Sequence, residues 1–179
     1  MSELPRPERR SDCSRCAALC CIAYPAEEMP GFSASKNAGE PCPKLDACGR
    51  CTIYDRREEE GFAGCIQYEC FGAGQHVVQH LFGGKDWRDD PALLEPMIES
   101  FLAVRKACDL LFIVDYAREH CASPGRESLL HDAETALIEF ASTREGAADP
   151  ARLKQIEPVL HELVREAGYR PQFSPAGRP

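Results

Sequence analysis

The chain has 179 residues, 44% hydrophobic and 28% charged, so it is long enough and apolar enough to bury a core of its own. Its formal net charge of −8 argues against a nucleic-acid partner, which would need a basic stripe or patch. Its longest strongly apolar run, residues 110–114, is far too short to span a bilayer, and the sequence therefore predicts no membrane partner.

The N-terminal segment, residues 1–12, contains two prolines and no hydrophobic periodicity, so we predict a disordered lead-in. It shows neither the apolar core nor the small-residue cleavage site of a secretory signal peptide. The expected location is therefore cytoplasmic, in a compartment where thiols stay reduced. There, a high density of cysteine favours thiolate-bound metal over a disulfide framework.

Cysteine is concentrated in the next segment, residues 13–75, which holds nine of the eleven cysteines and is rich in Gly and Pro. Within it, residues 12–23 are predicted to form one short helix, and residues 51–54 a short strand or turn. We interpret the segment as a loop-rich, cysteine-dense metal module. Metal ligation can order such a segment because its binding free energy, on the order of 10 kcal/mol for structural zinc, becomes folding free energy.

The cysteine spacing also indicates metal binding. Cys13 and Cys16, like Cys48 and Cys51, are separated by two residues, a gap that lets two sulfur atoms turn toward one ion. The alternative is that these are buried apolar thiols, a common role for a lone cysteine. That role accounts poorly for nine cysteines within 58 residues.

The adjacent pair Cys20 and Cys21 leaves two arrangements open. Cys20 follows Cys16 by four residues and would share a helical face with it. Neighbouring side chains on a helix, in contrast, diverge by about 100°. The pair therefore either serves two different sites or binds a polynuclear cluster broad enough to accept both thiolates.

Helical periodicity dominates the rest of the chain, and we predict a small helical bundle over residues 76–168 that packs on the metal module. Residues 75–82 are predicted as a short helix that Gly83 and Gly84 end. Asp90 and Pro91 suit the N-cap and the first position of a long helix that should end near residues 123–125. Its periodic positions are Leu94, Ile98, Phe101, Leu102, Arg105, Cys108, Leu111, Phe112 and Asp115.

Two further helices complete the predicted bundle, and the fold class predicted from the whole pattern is mainly α. One helix runs from about residue 127 to 142, and the other starts at residues 149–150 and ends at Gly168, with Pro158 inside it. The tail, residues 169–179, contains three prolines and is predicted to be flexible. The predicted inward positions are Leu130, Ala133, Leu137 and Phe140 on the first helix and Leu153, Ile156, Leu160, Leu163 and Val164 on the second.

Two histidines directly after the cysteine segment are further candidate ligands. His76 and His80 are four residues apart, which places both imidazoles on one helical face at a recognised metal-ligand spacing. The alternative is that one or both are ordinary surface histidines on a short helix.

The cysteines belong to a longer motif. Cys-x2-Cys-x3-Cys-Cys at 13–21 is followed by Pro-Cys-Pro-Lys-Leu at 41–45, by Gly-Arg-Cys-Thr-Ile-Tyr-Asp-Arg at 49–56, and by Cys-x4-Cys at 65–70. This motif resembles the YkgJ-type cysteine-cluster family, the CxxCxxxCC zinc- or iron-chelating domain. The resemblance covers residues 13–70 and implies a metal or iron–sulfur site on eight cysteines. These are Cys13, Cys16, Cys20, Cys21, Cys42, Cys51, Cys65 and Cys70.

The sequence departs from the family pattern at three points and carries a second resemblance. One departure is the interval between Cys51 and Cys65, which Glu-Glu-Glu-Gly at 58–61 lengthens. Arg56-Arg57 stands where the family usually has Arg-Pro, and Cys48 is an additional cysteine. Residues 64–75 also resemble the N-terminal module of some actinobacterial pentapeptide-repeat proteins, although no pentapeptide repeats follow here. One branch of the YkgJ-type family resembles flagellin lysine N-methylases, which is the main route to an enzymatic function.

We therefore predict that the eight cysteines of the motif bind metal and that Cys108 and Cys121 do not, because Cys108 lies on the periodic stripe of the long helix. Whether Cys48 binds metal is left open, since the family pattern omits this cysteine while its spacing to Cys51 suits a zinc knuckle.

The predicted function is a metal-binding protein with an iron–sulfur cluster, or zinc as the alternative, that transfers electrons, delivers metal or serves as an accessory module. A protein partner could dock through the helical half. The alternative function is a cluster-dependent enzyme that catalyses methyl transfer or redox modification of a protein or small molecule.

Overall fold

The computed structural model describes residues 4–27, 31–120 and 124–166 of the chain. Helices dominate these ranges, where strand pairing is limited to two isolated antiparallel bridges, Ala26 with Lys36 and Leu45 with Cys51. The predicted mainly α fold is confirmed. The α-helices in the described ranges are α1 (Leu19–Ala23), α2 (Ala63–Gln67), α3 (Ala73–His76), α4 (Leu94–His120), α5 (Pro124–Ala141), α6 (Arg144–Ala147) and α7 (Pro150–Glu166).

The long helix begins where its capping residues predicted. The Asp90 side chain accepts a hydrogen bond from the Ala92 N–H at 3.1 Å, and Pro91 opens a single 3₁₀ turn that leads into α4. Pro96 is the third residue of α4, where a backbone N–H has no partner within the helix, so its ring does not interrupt the 27-residue helix. α4 ends at His120, and the predicted stop at residues 121–123 falls outside the described ranges.

α4 is the central element of the fold, because α1, α3, α5, α6 and α7 all contact it. Its periodic positions Phe101, Cys108 and Leu111 are buried, whereas Leu102 and Phe112 are 42% and 41% exposed. A helix with neighbours on several sides buries a broad part of its surface. The three- and four-residue spacing of apolar residues therefore predicted this helix, but it did not distinguish its buried residues from its exposed ones.

The predicted inward face of α5 is confirmed, with Leu137 and Phe140 fully buried and Leu130 and Ala133 nearly so. α5 begins at Pro124, a few residues before the predicted start. The short helix α6 was not predicted; its N-cap is Thr143, whose hydroxyl accepts a hydrogen bond from the Gly146 N–H at 2.9 Å.

α7 extends through Pro158 and buries Leu153 and Leu160 as predicted, while Ile156 is half-buried. The side chains of Leu163 and Val164 and the whole of residues 167–179 lie outside the described part of the chain. No helix in the described ranges combines the length and the apolar character needed to cross a bilayer.

The predicted short helix at 75–82 is present with two differences. It begins two residues earlier, as α3, and continues directly into a π turn over Val77–Leu81 before Gly83, at φ +61°, ends it. Gly72, at φ +75°, precedes α3, and a Cβ atom there would lie 2.2 Å from the backbone oxygen of Glu8. Glycine is required at this position because the N-terminal segment passes directly over it.

The N-terminal segment differs from the predicted disordered lead-in, since residues 4–12 are bound to the helical bundle. The Arg6 guanidinium donates to both carboxylate oxygens of Asp115 and to Glu134, each at 2.9 Å. Arg9 also pairs with Asp115 at 2.7 Å, and Gln75 donates to Glu8 at 3.1 Å. Hydrophobic periodicity cannot detect a segment that is held by ion pairs.

These ion pairs lead to a stability prediction for Asp115, whose side chain is only 9% exposed between Arg6 and Arg9. We expect Asp115→Ala to lower the free energy of unfolding by about 1–3 kcal/mol, because it leaves part-buried donors without an acceptor. The matched control is Glu119→Ala, since Glu119 is 64% exposed and 4.0 Å from Arg9. That change should cost less than about 0.5 kcal/mol. Equal losses in denaturant titrations would contradict the assignment of Asp115 as the anchor.

Candidate metal centre

The first two cysteines are placed by a tight turn rather than by the predicted helix over residues 12–23. Cys13–Arg15 form one 3₁₀ turn, capped by the Asp12 carboxylate, which accepts from the Ser14 N–H at 3.0 Å. Ala18 then adopts the left-handed conformation, with φ +56°, and α1 begins after it. Two separate elements thus replace the one predicted helix, because a left-handed residue cannot continue an α-helix.

α1 presents the adjacent pair Cys20 and Cys21 side by side, with their Sγ atoms 3.9 Å apart. The helix is held on the bundle by Leu19 and Ala23, which are buried and belong to the main hydrophobic core. Its position relative to the following loop is set by the Cys42 N–H, which donates to the Cys21 carbonyl at 3.1 Å.

A tight loop between Cys42 and Cys51 holds the next part of the motif. The Asp46 carboxylate accepts from the N–H groups of Cys48 and Arg50, at 2.9 and 2.8 Å. A Cβ atom at Gly49 would lie 1.7 Å from Nη1 of Arg88, so glycine at this point lets the guanidinium lie directly on the turn. The residues predicted as a short strand or turn at 51–54 contribute one β-bridge, from Cys51 to Leu45, and the start of a 3₁₀ turn at Tyr54.

Cys65 lies on α2, next to the guanidinium of Arg57. Arg57 donates to the Cys65 carbonyl at 3.3 Å and to the Tyr54 carbonyl at 2.7 Å, and its guanidinium lies 3.9 Å from the Tyr54 ring centre. Burial raises the pKa of Cys13 and Cys65, and the charge of Arg57 partly offsets that effect. The same charge contributes to the lowered pKa of Cys21. Arg57 stands at the position where the YkgJ-type pattern usually has proline.

Four of the predicted ligands line one small cavity: Cys13, Cys16, Cys20 and Cys70. Ser11, Asp12, Gly74, Gln75 and Phe101 complete its wall. The Ser11 hydroxyl is 2.8 Å from the Cys70 Sγ atom. A Cβ atom at Gly74 would lie 2.5 Å from the Cys16 Sγ atom, so this glycine makes room for the thiol on the surface of α3.

Burial dominates the electrostatics of these thiols. Loss of hydration, with smaller contributions from neighbouring thiols, raises the pKa of Cys16 to about 12 and that of Cys65 to about 11. Cys21 is the exception, because a hydrogen bond from Cys20 lowers its pKa to about 7, with smaller contributions from Lys36 and Arg57. Cys13, Cys16, Cys20, Cys42 and Cys65, whose pKa is raised, are therefore neutral thiols at neutral pH.

The structure brings the eight predicted cysteines into one region as free thiols. Across residues 4–27, 31–120 and 124–166, no three His, Cys, Asp or Glu side chains are placed as a group that could hold a metal ion. Metal binding by these residues therefore stays a prediction.

The remaining candidates lie in different surroundings. Cys48 is exposed on the turn capped by Asp46, and Cys108 is 2% exposed in the core, where burial raises its pKa. His76 is also buried, with Nε2 at 2.9 Å from the Ala141 carbonyl and its ring 4.8 Å from that of His80. Neither imidazole lines the cavity. Cys121 lies outside the described residues.

The motif did not point to several polar residues that surround the cysteines. Ser11 and Gln75 line the cavity, and the Lys36 ammonium donates to the Ile22 and Asn37 carbonyls at 3.1 and 3.3 Å. Burial raises the pKa of Cys42, and the charge of Lys36 partly opposes that effect. No spacing rule relates these positions to the cysteines. Among the polar residues around the cysteines, Arg57 was the one that the sequence marked as unusual, because the family pattern has proline there.

Comparison with known proteins identifies a relative of unassigned function. A stretch of 107 residues, 60% of this chain, is 38% identical to the uncharacterized protein YybG of Bacillus subtilis strain 168. The matched stretch spans 38% of that protein's length. No family model and no solved structure matches the chain. The resemblance to the YkgJ-type family therefore rests on the cysteine motif alone.

Proposed function

We propose that this chain is a metal-binding protein that holds an iron–sulfur cluster, with zinc as the alternative, on the eight cysteines of the motif. The observation that carries the proposal is the cavity lined by Cys13, Cys16, Cys20 and Cys70, which gathers thiols from the two ends of the 13–70 segment. Its role would be electron transfer, metal delivery or service as an accessory module to a protein partner.

The donor set suits such a group. Thiolates are the soft ligands that iron–sulfur clusters, zinc and copper(I) prefer. Thiols packed this closely oppose one another's ionisation: Cys70 raises the pKa of Cys13 and Cys16, and Cys42 raises that of Cys65. A bound cation removes that penalty because it favours the thiolate form. Since each ligand must lose its proton, acidification opposes binding.

The chain's own residues would tune the bound group. A cluster would supply one-electron transfer when bound, whereas zinc would act as a structural crosslink. The Ser11 hydroxyl, which donates to the Glu69 carboxylate, lies 2.8 Å from the Cys70 sulfur, and the charges of Lys36 and Arg57 would offset the charge of the thiolates around Cys21. Hydrogen bonds to sulfur and nearby charge are the features that set the reduction potential of a thiolate-bound cluster.

An enzymatic role is the second candidate, and the polar wall of the cavity favours it. Asp12 and Gln75 line the same cavity as the four thiols. The Gln75 side chain is 2% exposed and accepts from the Asp12 N–H at 2.6 Å. A methyl-transfer or redox catalyst would need a coordination position open to such a cavity, whereas a closed structural site would not.

The test is the metal content of protein purified without oxygen. We expect at least one equivalent of bound iron or zinc, with brown colour and charge-transfer absorption for an iron–sulfur cluster and a colourless protein for zinc. Cys16→Ser should lower the metal content, whereas the buried core variant Cys108→Ser should leave it unchanged. Less than about half an equivalent of iron, zinc or copper in the unmodified chain would contradict the proposal.

A further inference from the structure

We infer that the eight cysteines form two separate four-thiolate sites that meet at the adjacent pair Cys20 and Cys21. The first site comprises Cys13, Cys16, Cys20 and Cys70, and the second comprises Cys21, Cys42, Cys51 and Cys65. This inference rests on the proposed function and adds the number of sites and the ligands of each.

The first site is defined by the cavity. All four of its cysteines line that cavity, and none of the four cysteines of the second site does. Its wall belongs to the folded core, because Phe101 of α4 is fully buried and Gly74 and Gln75 of α3 are also buried. The first site is therefore positioned by packing that does not depend on the 31–67 loops.

The second site is defined by the loops that follow α1. The Cys42 N–H donates to the Cys21 carbonyl at 3.1 Å, and the Leu45 N–H donates back to the Cys42 carbonyl at 3.0 Å. Leu45 in turn pairs with Cys51 in a β-bridge. These backbone contacts hold Cys21, Cys42 and Cys51 on neighbouring stretches of chain.

The two sets of cysteines meet at the adjacent pair on α1, where the Sγ atoms of Cys20 and Cys21 lie 3.9 Å apart.

The division gives each thiol of the adjacent pair its own neighbours. Cys20 lines the cavity, whereas the Cys21 carbonyl accepts a hydrogen bond from the Cys42 N–H of the following loop. Four thiolates complete a closed zinc site, so eight serve two ions without Cys48. Cys48 is exposed on the loop turn.

The experiment uses the full chain, stripped of metal and titrated with zinc under anaerobic reducing conditions. We expect about two equivalents to bind, about one to remain in Cys16→Ser and in Cys42→Ser, and about two in the control Cys48→Ser. Cys13→Ser should behave like Cys16→Ser, and Cys65→Ser like Cys42→Ser. Far-UV circular dichroism checks that each variant keeps the helical bundle.

Hydrogen exchange shows which of the two sites a variant has lost, independently of the number of zinc ions that it binds. In the zinc-loaded variants, Cys42→Ser should expose the amides of residues 31–67, whereas Cys16→Ser should leave them protected. Binding of about one equivalent by the unmodified chain, or loss of all zinc from both Cys16→Ser and Cys42→Ser, would overturn the division. An unmodified chain that takes up no zinc and is purified without iron would instead overturn the proposed function.

Discussion

Removal of the proposed metal is expected to abolish the amide protection of residues 31–67 while α4, α5 and α7 keep theirs. Among residues 31–67, only Ile53 and Phe62 are buried, and neither belongs to the main hydrophobic core. Burying one such side chain contributes about 1.5–3 kcal/mol, whereas ordering each residue costs about 1–2 kcal/mol of conformational entropy. A metal contribution on the order of 10 kcal/mol would therefore decide whether this segment is ordered.

Hydrogen exchange measured by mass spectrometry, with and without a chelator, tests this expectation. α1 should respond less than the loops, because Leu19 is fully buried and belongs to the main core. The amides of α4 supply the internal control. Unchanged protection of residues 31–67 after complete metal removal would show that metal is not what orders them.

Phe101→Ala is expected to lower the free energy of unfolding by about 3–5 kcal/mol, the range typical of a buried aromatic side chain that is truncated to alanine. Phe101 is fully buried in the N-terminal third of α4 and packs edge-on against Tyr24, with ring centres 6.0 Å apart. Truncation would leave a cavity between α4 and the cysteine segment, since Phe101 also lines the thiol cavity.

The neighbouring residue offers a matched control for this prediction. Leu102 is 42% exposed, so Leu102→Ala removes a large apolar side chain from the same helix without opening a buried cavity. We expect that change to cost less than about 1 kcal/mol. Denaturant titrations in which both variants lose the same free energy of unfolding would contradict the buried position assigned to Phe101.

The helices of this protein were predictable because their signals are local. Asp90 and Pro91 mark the start of the long helix through a side-chain cap and a fixed φ angle, both properties of a few consecutive residues. The inward face of α5 was predictable for a related reason, since α5 is apolar at positions that repeat with the helical period.

Tertiary structure alone decided the surroundings of the cysteines and the course of the N-terminal segment. The sequence determined that nine cysteines lie close together along the chain, but it left the adjacent Cys20 and Cys21 without assigned neighbours. Their neighbours depend on the packing of α1 against α4 and on the return of the chain at Cys42, contacts between residues far apart in sequence. Arg6 likewise reaches Asp115 across 109 positions, and no local pattern records such a pairing. Periodicity and capping report interactions within a few residues, whereas sites and ion pairs depend on where distant segments meet.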